Sequence, residues 1–267
     1  MTAERNDTWA AGDLYEPYVG RWSRLVARDF LAWLDLPPEL DWLDVGCGTG
    51  ALTETILRQA QPRTVTGMDH SAAFVAHARA HLPNAKATFE VADAQALPVD
   101  AGSFDVAVSG LALNFVPDPA LALREMARVV RPRGIVAAYV WDYAGKMELM
   151  RYFWDAAVEL DRSARELDEG RRFPLCQPAP LAELFTKRGL REVEVHAIDV
   201  STRFRNFDDY WTPFLGGQGP APGYAMSLSE ARRAALRDRI HATLPIAGDG
   251  SIDLVARAWA VRGRVLP

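Results

Sequence analysis

The sequence predicts an α/β fold: a doubly wound, mostly parallel sheet of seven strands with helices on both faces. Three observations carry that prediction. From Leu40 onward, short β-rich runs alternate with helical stretches, the pattern of parallel strands joined by helical crossovers. The first run, Asp41-Trp42-Leu43-Asp44-Val45, ends in Gly46-Cys47-Gly48-Thr49-Gly50 and opens directly into a helix. The fifth run, Gly134 to Trp141, is almost uniformly apolar, as a strand covered on both faces must be.

The elements follow in order. Ala51 to Gln59 carries Leu52, Ile56 and Leu57 at helical spacing, completing a strand, glycine turn and helix. Thr64 to Asp69 is the second strand, and Ser71 caps a helix that runs to His81. Ala87–Val91 and Phe104–Ser109 are the third and fourth strands. A helix from Ala120 to Val130 is ended by Arg131-Pro132-Arg133-Gly134 before the fifth. The alternation then stops. Residues 143–178 read as an insertion of one or two helices (Met147 to Leu167) and a charged stretch closed by Phe173-Pro174. It resumes with a helix from Pro180 to Arg188, Gly189 as its stop, and a strand from Arg191 to about Phe204. Asp208 to Trp211, a loop from Gly216 to Gly223 and a helix from Ser229 to Leu244 precede the last strand, Ile252 to Val261.

Composition bounds the function. The chain has 267 residues, 49% hydrophobic and 24% charged, enough for one large domain or two small ones and for a buried core. Its net charge of -5 offers no basic excess to neutralise phosphates, which disfavours a general nucleic-acid or anionic-membrane binder. Cys47 and Cys176 cannot build a disulfide framework, and no Cys/His group has zinc-site spacing, so a reducing cytoplasmic setting is expected. Residues 1–13 are polar and lack the pattern of a signal peptide. No apolar run approaches the ~20 residues of a membrane span, so a soluble, intracellular chain is expected.

A strand that ends in close-spaced glycines and opens a helix lets a ligand approach the backbone and meet free N–H groups; a nucleotide-like molecule is the natural occupant. Gly46, Gly48 and Ala51 also satisfy the relaxed dinucleotide pattern G-x-G-x-x-G/A, so glycine spacing alone leaves a nicotinamide oxidoreductase open. Three further features weigh against it: Asp44 two residues before the first glycine, the third glycine Gly50, and Asp69 closing the second strand.

With these residues the chain resembles the class I S-adenosylmethionine-dependent methyltransferases, in the small-molecule branch that includes the ubiquinone and menaquinone methyltransferase-like proteins. The resemblance covers nearly the whole chain. Leu43-Asp44-Val45-Gly46-Cys47-Gly48-Thr49-Gly50 matches the family's first motif, and Gly67-Met68-Asp69-His70-Ser71 the second. Ala92-Asp93-Ala94-Gln95-Ala96-Leu97-Pro98 matches the third. Phe104 to Ser109 with Phe115-Val116-Pro117-Asp118 resembles the fourth, and Arg124-Glu125 with Val129 to Gly134 the fifth.

The resemblance implies a Rossmann-like sheet whose last strand is antiparallel. It implies S-adenosylmethionine as cofactor and S-adenosylhomocysteine as product. Gly46, Cys47, Gly48 and Gly50 would run under the methionine portion and Asp44 would hold its ammonium. Asp69, beside His70, would take the ribose hydroxyls, Asp93 the adenine amino group with the Ala94 N–H on the ring, and Ser109 would close the fourth strand beside them. Residues 1–39 would form a helical cover in which Tyr15 or Tyr18 walls the site and Arg21 pairs with the methionine carboxylate. Residues 40–267 would be the methyltransferase domain, with insertions 143–178 and 205–250 on the acceptor side. Relatives commonly carry His where Leu113-Asn114-Phe115 has Asn114, so no titratable group is inherited there and no general base is evident.

Plainer roles stand beside these. Cys47 reads as a small packed residue, His196 and His241 as structural, and the run Arg232, Arg233, Arg237, Arg239 as a solvated helix face. The stretch after the fourth strand lacks the polar residue and Pro-Pro-aromatic of base N-methyltransferases, and neither Cys follows the Pro that a cytosine C5 enzyme requires. The expected reaction is in-line methyl transfer to a small molecule by positioning. A non-catalytic S-adenosylmethionine-binding regulator and, further off, an NAD-dependent oxidoreductase are the alternatives.

Overall fold

The computed structural model describes residues 20–216 and 219–267. The strands are β1 (Asp41–Val45), β2 (Thr64–Asp69), β3 (Ala87–Val91), β4 (Phe104–Gly110), β5 (Val130–Trp141), β6 (Arg191–Phe204) and β7 (Ile252–Arg264). The helices are α1 (Arg21–Leu34), α2 (Ala51–Gln59), α3 (Ala72–His81), α4 (Pro119–Val129), α5 (Glu148–Leu160), α6 (Glu169–Arg172), α7 (Pro178–Lys187), α8 (Phe207–Trp211), α9 (Pro220–Ser227) and α10 (Glu230–Thr243). One seven-stranded sheet has the order β3-β2-β1-β4-β5-β7-β6. Its first five strands pair parallel, and β7 runs antiparallel to β5 from Ile135↔Arg264 to Trp141↔Ala258. This is the doubly wound fold expected from the alternation.

The chain divides into two compact units. The sheet unit comprises Trp22–Trp141, Leu175–Ile198 and Ala258–Pro267. Its strands are built as their sequences require: β1 and the second half of β5 are buried almost throughout, and Val106, Ala107 and Val108 of β4 lie in the core. Trp22, Val26, Phe30 and Leu34 recur at i, i+4 along α1 and bury one stripe, with Phe30 4.7 Å from the ring of Tyr139 on β5. This helix is therefore core of the sheet unit, and only residues before it remain for a cover.

The second unit comprises Asp142–Pro174 and Asp199–Arg257, with Arg21. Aromatic side chains fill it. Phe153 stacks on Phe214 at 4.6 Å, Trp154 meets Phe153 edge-on at 5.2 Å, and the buried Tyr210 donates its hydroxyl to the Leu149 carbonyl at 2.8 Å. The Arg run of α10 is partly used in this packing: Arg232 pairs with Asp161 and Arg239 with Glu159, each at 2.7 Å.

Several boundaries differ from the sequence expectation, three of them for a clear local reason. β5 starts at Val130 rather than Gly134, because Val130 pairs with Phe104 and Arg131 bonds Asp105 at 2.6 Å; the Arg-Pro-Arg-Gly stretch lies inside the strand as an irregularity, with Arg133 at φ 68°. The expected loop 216–223 holds the start of α9, whose first turn contains Pro220 and Pro222 and buries Ala221 and Ala225. The helical stretch Met147 to Leu167 breaks at Asp161. Its backbone is extended at φ -146° and its carboxylate caps the following 3-10 turn by accepting from the Ser163 N–H.

Candidate functional site

The strand order places one set of residues on one edge. The chain runs outward from β1 to β2 and β3, then returns to add β4 and β5 on the other side, so the C-terminal ends of β1 and β4 flank the reversal where open α/β sheets bind ligands. In register, Asp44 lies beside Gly67 and Val108, and Asp69 lies beside Val91. Asp44, the glycine loop, Asp69, Asp93 and Ser109 thereby come to the same sheet edge.

Asp44 is fully buried in β1. Its Oδ2 accepts a 2.7 Å bond from the Thr53 hydroxyl, while Oδ1 is buried with no hydrogen-bond partner. Burial pushes this carboxyl up to about 7; the Thr53 bond opposes the shift, and the charge of Asp69 adds to it. An unpartnered carboxylate oxygen at a ligand edge is an acceptor held for a cation or a donor from outside the chain.

The glycine loop beside it is pinned from below. Gly46 and Cys47 donate their N–H groups to the Met68 carbonyl at 2.7 and 3.0 Å. Gly46 has φ 74°, and a Cβ there would lie 2.5 Å from the Ala112 Cβ, so this position requires glycine for close packing. Gly48, at φ 54°, would point its Cβ into open space. That is the arrangement expected of a loop floor on which a ligand rests. Gly50 forms the N-cap of α2, whose first turn leaves backbone N–H groups for an incoming acceptor.

Asp69 does more than close β2. Its Oδ2 accepts the Gly48 N–H at 2.9 Å and its Oδ1 the Ser71 N–H at 2.8 Å, so one carboxylate ties the glycine loop to the start of α3. Each oxygen retains acceptor capacity. His70 next to it is exposed, its Nδ1 3.4 Å from Asp69 Oδ1. Asp93 is exposed beyond β3 and held by Gln95, whose backbone N–H reaches Oδ1 at 2.8 Å and whose side-chain amide reaches it at 3.1 Å; these bonds lower its pKa. Ala94 lies between the two, and Ser109 is buried near the end of β4.

Other expected residues fall elsewhere. The side chain of Cys47 turns into a cluster with Val75, Ala78 and Phe89, and burial drives its thiol pKa upward, so only its backbone belongs to the loop. Arg21 belongs to the second unit, where it bonds Asp209 at 3.2 Å and lies 4.7 Å over the Phe204 ring. Tyr15 and Tyr18 lie outside the described residues. His196 is exposed and stacks on Trp33 at 5.5 Å, and His241 meets Phe207 edge-on at 4.6 Å. Phe153, Trp154, Tyr210 and Phe214 are fully buried as core of the second unit. Sequence reasoning missed Thr53 and Gln95, which hold Asp44 and Asp93. A hydroxyl in the first turn after the glycines, and a Gln two residues beyond an Asp, are the signals that were present.

A glycine loop with carboxylates at three neighbouring strand ends, at the reversal of a doubly wound α/β sheet, stands where such folds bind ligands. Comparison with known proteins makes the class specific. A family described as a methyltransferase domain matches residues 43–138, which span the glycine loop, Asp69, Asp93 and β4. A 2-methyl-6-phytyl-1,4-hydroquinone methyltransferase from Synechocystis is 32% identical over 241 residues, covering 81% of this chain and 74% of that protein. A trans-aconitate 2-methyltransferase from Deinococcus radiodurans is 35% identical over 176 residues, covering 64% of this chain and 66% of its own length. Among solved structures, a Bacillus halodurans protein assigned to the methyltransferases superposes with a TM-score of 0.61 at 13% identity, covering 90% of this chain and 99% of that one, a likeness of fold. The chain belongs to the S-adenosylmethionine-dependent methyltransferases.

Proposed function

We propose that this chain transfers a methyl group from S-adenosylmethionine to a small-molecule acceptor, and that the cofactor lies along the edge from Asp44 to Asp93. The orphaned Asp44 Oδ1 carries the reading, because a buried carboxylate oxygen with no partner fits the cofactor's ammonium and little else in the chain explains it. In this reading Asp69 takes the ribose hydroxyls while it holds the loop through Gly48. Asp93, fixed by Gln95, takes the adenine amino group beside the Ala94 N–H. Gly46, Cys47, Gly48 and Gly50 give a floor of backbone, with His70 and Ser109 at its margins.

When bound, S-adenosylmethionine supplies an electrophilic methyl group on a sulfonium. The chain's residues hold and orient it, and orientation alone can contribute ~7–11 kcal/mol to such a transfer. The carboxylates at this edge are engaged in holding roles and none is placed as a base, so the acceptor brings its own nucleophilicity. The relatives named above carry the names of enzymes acting on an acid and on a hydroquinone, which supports a small-molecule acceptor for this chain. A cytoplasmic setting suits such a reaction, and no helix of the described residues is long and apolar enough to cross a membrane.

Incubating the protein with methyl-tritiated S-adenosylmethionine and separate small probes, trans-aconitate and methylhydroquinone among them, tests this. Label appearing in a small molecule is the expected result. Tight cofactor binding with no label leaving it would indicate a non-catalytic binder instead.

A further inference from the structure

The turn that follows β4 holds a side chain with nothing to bond. Asn114 sits in the 3-10 turn Leu113–Phe115, and both its Oδ1 and its Nδ2 are buried with no hydrogen-bond partner. A buried carboxamide with both ends unmet opposes folding, since each end gave up water and gained nothing. The turn around it is fixed to the cofactor edge at both ends. Ala112, two residues before, packs against Gly46, and the Asp118 N–H, four residues after, bonds the Gln95 side chain that also holds Asp93. Leu111 enters the turn at φ 58°, a left-handed conformation unfavourable for a leucine, with its N–H held by the Tyr139 carbonyl at 2.8 Å. A strained, anchored turn that presents an unsatisfied amide beside the glycine loop is a place built to receive a ligand group.

We propose that Asn114 is a binding residue for the methyl acceptor and that the group it reads is a neutral hydroxyl. This rests on the methyltransferase reading above. Asp44, Asp69 and Asp93 already answer the ammonium, ribose and adenine of the cofactor, which leaves the Asn114 amide for the second substrate. An amide presents one acceptor and a two-proton donor and carries no charge at any pH. A carboxylate, having acceptors only, would satisfy Nδ2 and leave Oδ1 buried without a donor. A hydroxyl gives a proton to Oδ1 and accepts one from Nδ2. Asn114 thus selects phenol-, enol- or alcohol-bearing acceptors over fully ionised acids, and orients the acceptor without taking a proton from it; the proton displaced when the methyl group leaves the sulfonium passes to solvent, with S-adenosylhomocysteine as the leaving group.

The test uses Asn114→Leu, close in shape and unable to hydrogen-bond, with Asn114→Ala as a second variant in case leucine does not fit. Titration calorimetry with S-adenosylhomocysteine should give affinities within about twofold of the parent for at least one variant, showing the fold and cofactor edge intact. In that variant, tritium transfer to methylhydroquinone should fall at least tenfold in kcat/KM, chiefly through a raised KM, and the parent should prefer methylhydroquinone to trans-aconitate. Undiminished transfer would overturn the proposal. So would a matching loss of S-adenosylhomocysteine affinity, which would assign Asn114 to the cofactor. A parent that binds S-adenosylhomocysteine yet fails to methylate methylhydroquinone would overturn the hydroxyl assignment. A parent that does not bind S-adenosylhomocysteine would overturn the methyltransferase reading beneath it.

Discussion

Asp44 shows how one residue couples folding to ligand. Its neighbours offer one hydrogen bond, from Thr53, for a group that needs several, so burial lifts its carboxyl to about 7. Glu169, buried in the second unit with the Trp154 indole as donor, is lifted to about 7 for the same reason. Both shifts are upward, so between about pH 4 and 7 the folded chain holds protons that the unfolded chain has released, and stability falls as pH rises through that window. Carboxylates such as Asp93 and Asp209, whose pKa values are lowered, titrate below it. In urea, the ligand-free midpoint should be higher at pH 5 than at pH 8. Asp44→Asn should flatten the slope by an amount on the order of a few kcal/mol across the window. A midpoint that rises from pH 5 to pH 8, unchanged by the substitution, would show that Asp44 is ionised and satisfied in the free protein.

At the scale of elements, the glycine loop joins two requirements that substitutions can separate. Gly46 is held by packing: alanine there meets Ala112 and keeps a positive φ, costing roughly 1–2 kcal/mol for the backbone and about 1–3 kcal/mol for the crowding. Gly48 meets nothing, so Gly48→Ala should lose only the backbone part. Thermal melting should therefore drop further for Gly46→Ala. Gly48→Ala, melting nearer the parent, should lose at least tenfold in S-adenosylhomocysteine affinity because its methyl occupies the space above the loop. Retention of affinity in Gly48→Ala would mean the ligand lies elsewhere. Much of this element was legible in the sequence, since Gly46-Cys47-Gly48-Thr49-Gly50 between a β run and a helical repeat fixes both the turn and its place. The partners that aim the carboxylates were not. Thr53 and Gln95 act through contacts that no periodicity records, and the Asn114 amide is conspicuous only once its surroundings show that nothing answers it. The boundaries that moved, at Val130, Asp161 and Pro220, lie where side-chain bonds or prolines decide the backbone locally.

For the molecule as a whole, alternation of strand and helix predicted the sheet unit because both periods are printed in the order of apolar residues. The second unit was legible only as an interruption. Its aromatic residues pack a core of their own, a role that composition does not distinguish from lining a pocket. The central claim is that the edge running from Asp44 to Asp93 holds S-adenosylmethionine. Titration calorimetry of the parent with S-adenosylhomocysteine at pH 8, repeated with NAD and with Asp44→Asn, tests it most directly. The account predicts one-to-one binding of S-adenosylhomocysteine, no comparable binding of NAD, and an affinity at least tenfold weaker in Asp44→Asn with the fold retained. Equal affinity in the variant, or a preference for NAD, would contradict it.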